Sequence, residues 1–537
     1  MKYHAAIKLR TVYFAANMDR FQQELVDNFH FSEALTSLAK YENSNDINHH
    51  LLLTKLRFLN AKYNEAMASY LCSAFKNSEQ LTKEVVVGLF INHRFKEAAD
   101  LIQTNLKIQP ASTCLIGILF TVLIELDYLD EAVLLLKKRT SLIKGIPQDL
   151  LLRLSLRLLI DEKKENSSWV YHHIKQNTKA GGLASQLPWL MLTHGERKRA
   201  NSLLSNQAKT QPLDTLKRHY HYLRTEHSDL FKELNEQFKH SVLTTSNTSK
   251  VSEIEGHLSR KVPVKYSDNM FVNIMLWHAT WKILTPDCSL ENWYAENARL
   301  LKLSTLGAEA FTTKESIEWL KNNYASSIQE TTKQFSASEE PVVFVTSHLA
   351  YPAGLFAFIS EFEDLHFIKN PATGGIVEDA ILNPIYLGPA FMAKSNMLEF
   401  HKLTKIIKSG GKIIFNLDQQ VIKDQANYKE FGKYKLAYNF FIAELLWEFK
   451  LPCVWVDSSF EEEQFHYHFA PLPKPGKYSD LESWKNDFLA VYNEKISQRL
   501  NGDFGFCNPI GGHIAKSLLK QHFKKSLSNM NLLFKNY

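Results

Sequence analysis

The chain has 537 residues, 45% of them hydrophobic and 22% charged, with a formal net charge of +6 at pH 7. That length exceeds what one hydrophobic core organises and predicts two or three domains of ordinary globular composition. The mild positive balance permits attraction to an anionic surface and does not require nucleic acid. Five scattered cysteines, Cys72, Cys114, Cys288, Cys453 and Cys507, exclude a disulfide framework and a thiolate zinc site, and fit a reducing compartment.

The N-terminal stretch MKYHAAIKLRTVYFAANMDR has a short apolar run broken by Asn17, Asp19 and Arg20, so no secretory leader is expected. The longest uncharged apolar run, TCLIGILFTVLI at 113–124, falls short of the roughly 20 residues that span a bilayer. A buried helix is predicted there. The expected location is cytoplasmic, touching a membrane at most from one side.

A period runs through the first half. FSEALTSL, YNEAMASY, FKEAADLI and LDEAVLLL begin at Phe31, Tyr63, Phe95 and Leu129, with Glu-Ala pairs at 33/34, 65/66, 97/98 and 131/132, spaced by 32, 32 and 34 residues. Continuing by 34 reaches Glu165-Asn166 and then Arg199-Ala200. Each unit holds two apolar-periodic segments separated by polar turns, the pattern of a helical hairpin in which a small Ala lets two helices approach closely. The pattern resembles tetratricopeptide repeats, although that family's Trp and Gly-Tyr positions are mostly absent. The resemblance implies an N-terminal α-solenoid over 1–239 that offers a face to a peptide or partner protein.

The Ser/Thr/Asn-rich stretch HSVLTTSNTSKVSEIEGHLSRK predicts a linker at 240–265. Helices are then expected over 270–284 and in NWYAENARLLKLSTLGAEAF and SIEWLKNNYASSIQETTKQF. From residue 341 strands alternate with helices: strand PVVFVTSH, helix AGLFAFISEFEDL, strand HFIKN, helix NMLEFHKLTKIIKSGG, strand KIIFNLDQ, helix KLAYNFFIAELLWEFKL, strand PCVWVDSS and strand QFHYHFAPLP. That order predicts a mixed, mostly parallel sheet flanked by helices over 266–512, so the fold class is α + α/β.

Ligands of such sheets bind beyond the carboxyl ends of the strands. Three predicted strands end in polar residues, Ser347-His348, Asp418-Gln419 and Asp457-Ser458, and parallel pairing would bring them to one edge. Ser347, Gln419 and Asp457 are the candidate substrate contacts. His466 and His468 alternate on one strand without a third ligand at helpful spacing, so no metal site is assigned.

The ordered landmarks add chemistry by resemblance. His348 at a strand end, Ser409-Gly410-Gly411, Asp418-Gln419, Phe431-Gly432 and Leu451-Pro452 fall in the order of motifs in the lysophospholipid acyltransferase superfamily. Within it, the order is similar to that of the late acyltransferases of bacterial lipid A biosynthesis. The resemblance spans about residues 270–512 and implies acyl transfer from a thioester, carried by acyl carrier protein or coenzyme A, to a lipid or glycan acceptor, with no further cofactor. His348 would be the general base, removing the acceptor's proton as it attacks the thioester. In the family an acid five residues later orients the imidazole; here that position is Ala353. Asp418 is the first candidate for the supporting acid, and Glu378-Asp379 the second. The departure leaves a second reading, a non-catalytic adaptor with a degenerate acyltransferase-like domain. In either reading the repeats would dock a carrier or biosynthetic partner.

The tail at 513–537 has five lysines and no acid, with Ile514, Leu518, Leu519, Phe523 and Leu527 at helical spacing. It is read as a basic amphipathic helix that either lies on an anionic membrane or docks its apolar face onto the protein.

Overall fold

A computed structural model describes residues 22–39, 45–108, 113–138, 146, 148–160, 163–174, 187–188, 191, 194–210, 223, 229–236, 248–259, 261–267, 270–284, 288–310, 314–336, 341–347, 352–369, 385–387, 393–417, 428–431, 434–437, 440–502, 519–520 and 523–524. The chain is mostly helical with one mixed sheet. It divides into two compact units that do not follow chain order: 1–146 with 263–300 and 514–537, and 147–262 with 301–513. One of the divisions between them, at 262/263, falls within the stretch 240–265 expected as a linker.

In the first unit the helices are α1 (Phe31–Leu38), α2 (Ile47–Leu59), α3 (Tyr63–Cys72), α4 (Glu79–Ile91), α5 (Phe95–Ile108), α6 (Thr113–Glu125) and α7 (Leu129–Lys138). The second unit opens with α8 (Gln148–Ile160), α9 (Lys164–Ile174) and α10 (Arg197–Thr210). One turn recurs between the helices of each hairpin. His30, Lys62, Arg94, Tyr128, Lys163 and Glu196 each donate a backbone N–H, at 2.8 Å, to the carbonyl five residues earlier, on Leu25, Arg57, Leu89, Leu123, Leu158 and Met191. This is the bond that closes a Schellman motif. The residue before the donor is left-handed in five of these turns, with φ of 63° at Phe29, 57° at Ala61, 59° at His93, 60° at Asp127 and 78° at Gly195.

These turns set the true register of the repeat. Four residues after each donor stand Ala34, Ala66, Ala98, Ala132, Ser167 and Ala200, all 0% exposed. The fifth small residue is thus Ser167 and not Asn166, a correction of one position. Ser167 fits because its hydroxyl is satisfied across the hairpin, 2.9 Å from Ser155 Oγ and bonded to Ser155 O at 2.9 Å. The outgoing helices start from the turn itself, while α2 and α4 are capped by side chains, with Asp46 accepting from Asn48 N and Ser78 from Leu81 N. Close approach is real elsewhere too: a methyl group built on Gly88 would overlap the buried ring of Phe58.

The turn edge of the first four hairpins is occupied by the chain's own later segments. These are residues 263–267, α12 (Phe271–Leu284) and the start of α13 (Leu290–Ala310). Tyr266 N donates to Asp27 O at 2.7 Å, and its ring lies edge-on to Phe29 and Phe31. Glu291 accepts from Ser32 N. His93 Nε2 donates to Met275 O at 3.1 Å, and His278 Nδ1 lies 2.8 Å from the Tyr294 hydroxyl, both residues wholly buried. At the fourth turn Phe523 stacks on Phe95 and Tyr128 with centroids 5.2 and 4.9 Å away. The Tyr128 hydroxyl donates to Lys520 O at 2.9 Å, and Lys520 Nζ lies 3.6 Å from Asp127. Burial, with Glu131 nearby, pushes the Tyr128 phenol up to about 12. Leu519 and Phe523 are therefore buried in protein, as in the docked reading of the tail; Ile514, Leu518 and Leu527 lie outside the described residues.

In the second unit the stretch expected as a linker forms α11 (Thr248–Leu258). Its Ile254 and Leu258 join one core with Leu303, Ile317, Leu320 and the sheet residues Phe344, Ile414 and Val456. The polar composition hid an amphipathic stripe that only tertiary burial reveals. Then come α14 (Lys314–Tyr324), α15 (Ile328–Ser336), β1 (Val343–Thr346), α16 (Pro352–Ile359), β2 (Leu365–Lys369), β3 (Ile385–Tyr386), α17 (Ala393–Lys408), β4 (Lys412–Asn416), β5 (Tyr428–Phe431), β6 (Tyr434–Ala437), α18 (Phe440–Phe449), β7 (Cys453–Glu461), β8 (Gln464–Pro471) and α19 (Leu481–Gly502).

The main sheet has the order β3-β2-β4-β1-β7-β8. All its pairings are parallel except β7 with β8, as the alternation of strands and helices predicts. Sequence reading missed β3, between the expected strand HFIKN and the helix that follows it, and the separate antiparallel β5–β6 hairpin, whose second strand takes up residues expected as the start of a helix. Among the described residues no helix is long and apolar enough to cross a membrane.

Two stability outcomes follow from the turns. Ala61 is exposed and left-handed, so Ala61→Gly should stabilise the first unit by about 0.5–1 kcal/mol, read as a higher thermal midpoint. Phe523→Ala removes a fully buried ring and should cost about 3–5 kcal/mol, read as earlier unfolding of the first unit and faster proteolysis of the tail.

Candidate functional site at the carboxyl edge of the sheet

β1 is the central strand, and all four of its residues are buried. A run of Val, Phe, Val and Thr suits that position because both faces are covered and every side chain must pack. Its parallel neighbours fix the edge at which it ends. Thr346 faces Asn416 of β4, and Leu417 N donates to Thr346 O at 3.2 Å. On the other side Val345 faces Trp455 of β7. Two residues further along each strand, Ser347 and Asp457 stand at the same level.

Ser347 and Asp457 are both 0% exposed. His348, Asp418 and Gln419 lie outside the described residues, as do Glu378 and Asp379. Ser347 and Leu417, which precede His348 and Asp418 in the chain, stand at the ends of adjacent parallel strands.

Asp457 is not at a strand end. β7 continues to Glu461 because β8 supplies antiparallel partners after β1 has run out, pairing Asp457 with His468 and Ser459 with His466. Asp457 Oδ1 accepts from Ser458 N at 2.8 Å. The expected strand end at Asp457-Ser458 is therefore corrected to Glu461, and Asp457 is a wholly buried residue within the strand. His466 and His468 are exposed, with His468 Nε2 3.1 Å from Ser459 Oγ.

Alternation along β7 assigns its faces. Val454, Val456 and Phe460 belong with the core that contains Phe358 of α16. Trp455, Asp457 and Ser459 point to the opposite face, where Tyr492 of α19 meets Trp455 edge-on at 5.1 Å. The Tyr492 hydroxyl reaches past it to Thr346 O at 3.4 Å. Nothing in the sequence marked Tyr492 beyond its place in the apolar stripe Trp484, Phe488, Tyr492, Ile496, so it was missed.

On the α16 face the helix presses close to the sheet. A Cβ on Gly354 would come within 2.8 Å of Ser458 Oγ and 2.9 Å of Phe465. The Tyr467 hydroxyl donates to Gly354 O at 2.9 Å, and burial, with Glu361 nearby, pushes that phenol far up. Ala353, where the acyltransferase pattern would have an acid, is the second residue of α16. Thr346 Oγ1 is buried and makes no hydrogen bond among the described residues; leaving such a hydroxyl unmet costs about 1–3 kcal/mol. The amino edge is different: Lys412, at the start of β4, is buried and paired with Asp364 at 2.9 Å. Among the described residues no three potential metal ligands converge.

No family model matches the chain, and no curated protein matches it in sequence.

Because Gly354 seats α16 against β7, Gly354→Ala should destabilise the second unit by about 1–3 kcal/mol despite alanine's better helix propensity. A lowered thermal midpoint would show it, and an unchanged midpoint would refute the close seating.

Proposed function

We propose that the second unit is an acyltransferase that moves a fatty acyl group from a thioester of acyl carrier protein or coenzyme A to a lipid or glycan acceptor. His348 is the general base that takes the acceptor's proton, and Asp418 supports its imidazole. Ser347, Gln419 and Asp457 contact substrate. The observation that carries this reading is the adjacency of β1 and β4: the residues just before His348 and Asp418 end neighbouring parallel strands. The buried Thr346 hydroxyl at that edge, which meets no partner among the described residues, agrees with a polar group held for a ligand.

The six hairpins, proposed to stack as an α-solenoid, would dock the carrier or another biosynthetic protein. Their turn edge is already covered in the first unit by residues 266–294 and 519–524, so a partner would use another face. The protein is proposed to work in the cytoplasm at the inner face of a membrane.

A second reading has one specific observation in its favour. Ala353 supplies no acid to orient a base, so the unit would retain an acyl pocket in an adaptor that no longer turns over.

The test is transfer by the full chain from acyl-coenzyme A and acyl carrier protein to lysophospholipid and glycolipid acceptors. His348→Ala should lower turnover by about 10²–10⁴-fold, and Asp418→Asn should lower it less while shifting the pH profile. Equal turnover in His348→Ala would reject the base assignment. Absence of transfer with every donor, together with stable capture of acyl carrier protein, would favour the adaptor.

A further inference from the structure

Six large apolar side chains are exposed among the described residues, and three of them sit within four positions of α17. Met397 is 74% exposed, Leu398 75% and Phe400 37%. The others, Leu71, Ile108 and Leu134, occur singly on three different helices, as scattered surface hydrophobics commonly do. α17 does not need Met397 and Leu398 to stay folded, because Leu403 and Ile407, at 1% and 6% exposure, hold it to the protein from its other side, with Phe400 at the margin of that side by helical spacing.

The charge beside this patch has one sign. Residues 393–408 contain Lys394, Lys402, Lys405 and Lys408 against a single acid, Glu399. Glu399 is buried at 8%, while Lys402, Lys405 and Lys408 are exposed along the same outward surface as Met397 and Leu398. Lys402 Nζ lies 3.9 Å from Glu399. Protein interfaces deplete lysine and surround an apolar centre with mixed polar groups. Apolar side chains backed by lysines alone match a different surface, the boundary between headgroups and acyl chains of an anionic bilayer.

Topology gives the patch a direction. α17 follows β3 and returns the chain to the amino end of β4 after only residues 409–411. A helix joining parallel strands runs back along the sheet, so its first turns, with Met397 and Leu398, lie towards the carboxyl edge. We infer that the outward face of α17 is an interfacial patch that seats on an anionic phospholipid surface, with Met397 and Leu398 entering the acyl boundary and Lys402, Lys405 and Lys408 at the headgroups. This contact rests on exposure, charge and topology, not on turnover, so it stands or falls separately from the acyltransferase reading.

The experiment is flotation of the full chain with phosphatidylcholine vesicles and with vesicles of phosphatidylcholine mixed with phosphatidylglycerol. Wild type should float with the mixed vesicles and much less with the neutral ones. Met397→Ser combined with Leu398→Ser should reduce that binding about tenfold or more, with an unchanged thermal midpoint because both residues are exposed. Replacing Lys402, Lys405 and Lys408 with Gln should remove the preference for phosphatidylglycerol, as raised salt should also do. Failure of the wild type to bind either vesicle overturns the proposal. So does wild-type binding by the Met397/Leu398 variant; if that variant also lost self-association in sedimentation velocity, the patch would be a protein contact instead.

Discussion

The parallel pairing of β1 with β4 on one side and β7 on the other is the constraint on which the second unit depends. It makes Val343–Thr346 an interior strand, and because both of its faces are also covered that run must pack every side chain. It also sets the ends of β1 and β4 at one level, beside the middle of β7, without help from any loop. Pairing is fixed by main-chain hydrogen bonds, and a slip of one residue would turn Phe344 out of its aromatic cluster with Phe335, Phe358 and Phe362. The polar residues at the edge are therefore held in place by apolar packing further back along the same strands.

The repeats obey a comparable local rule. Each hairpin turns through the same 6→1 hydrogen bond, and each places a small buried residue four positions later, whether Ala or Ser. Four of the left-handed residues, Phe29, Ala61, His93 and Asp127, are not glycine. At three of the four this is explicable, because the side chain is used: Phe29 packs on Phe31 and Tyr266, His93 bonds to Met275 O, and Asp127 faces Lys520. Ala61 has no such contact. The turns thus accept backbone strain where their side chains recruit the segments that cover them.

These particulars show what sequence can and cannot carry. The hairpin period was legible because a small residue is demanded at one place per turn of the repeat, and four Glu-Ala pairs report it. The fifth repeat misled by one residue because serine satisfies the same steric demand without the same letters. β1, β2 and β4 were legible as short apolar runs after helices, whereas β3 is two residues long and leaves no periodicity to read. The end of β7 was misplaced because a polar pair looks like a boundary, and only pairing with β8 decides that Asp457-Ser458 lies inside a strand. Tyr492 was invisible, since one tyrosine in an apolar stripe differs from its neighbours only by what its hydroxyl meets.

The two edges of the sheet differ in the way a site requires. At the amino edge the buried charge is neutralised at once, Lys412 by Asp364, and the chain passes directly from Gly411 into β4. The carboxyl edge collects Thr346, Ser347, Asp457 and Ser458, all buried, along with the Tyr492 hydroxyl. Burying so many polar groups costs stability unless each is bonded, and Thr346 Oγ1 has no hydrogen-bond partner among the described residues. A fold that only needed a core would fill those positions with apolar residues, as it does three residues earlier in each of the same strands. The first turns of α17, which carry the exposed Met397 and Leu398, lie towards that same edge by topology. An acyl chain delivered from a bilayer and a polar group that reacts with its carbonyl need an apolar approach next to a polar, water-poor end. The second unit offers both on one side.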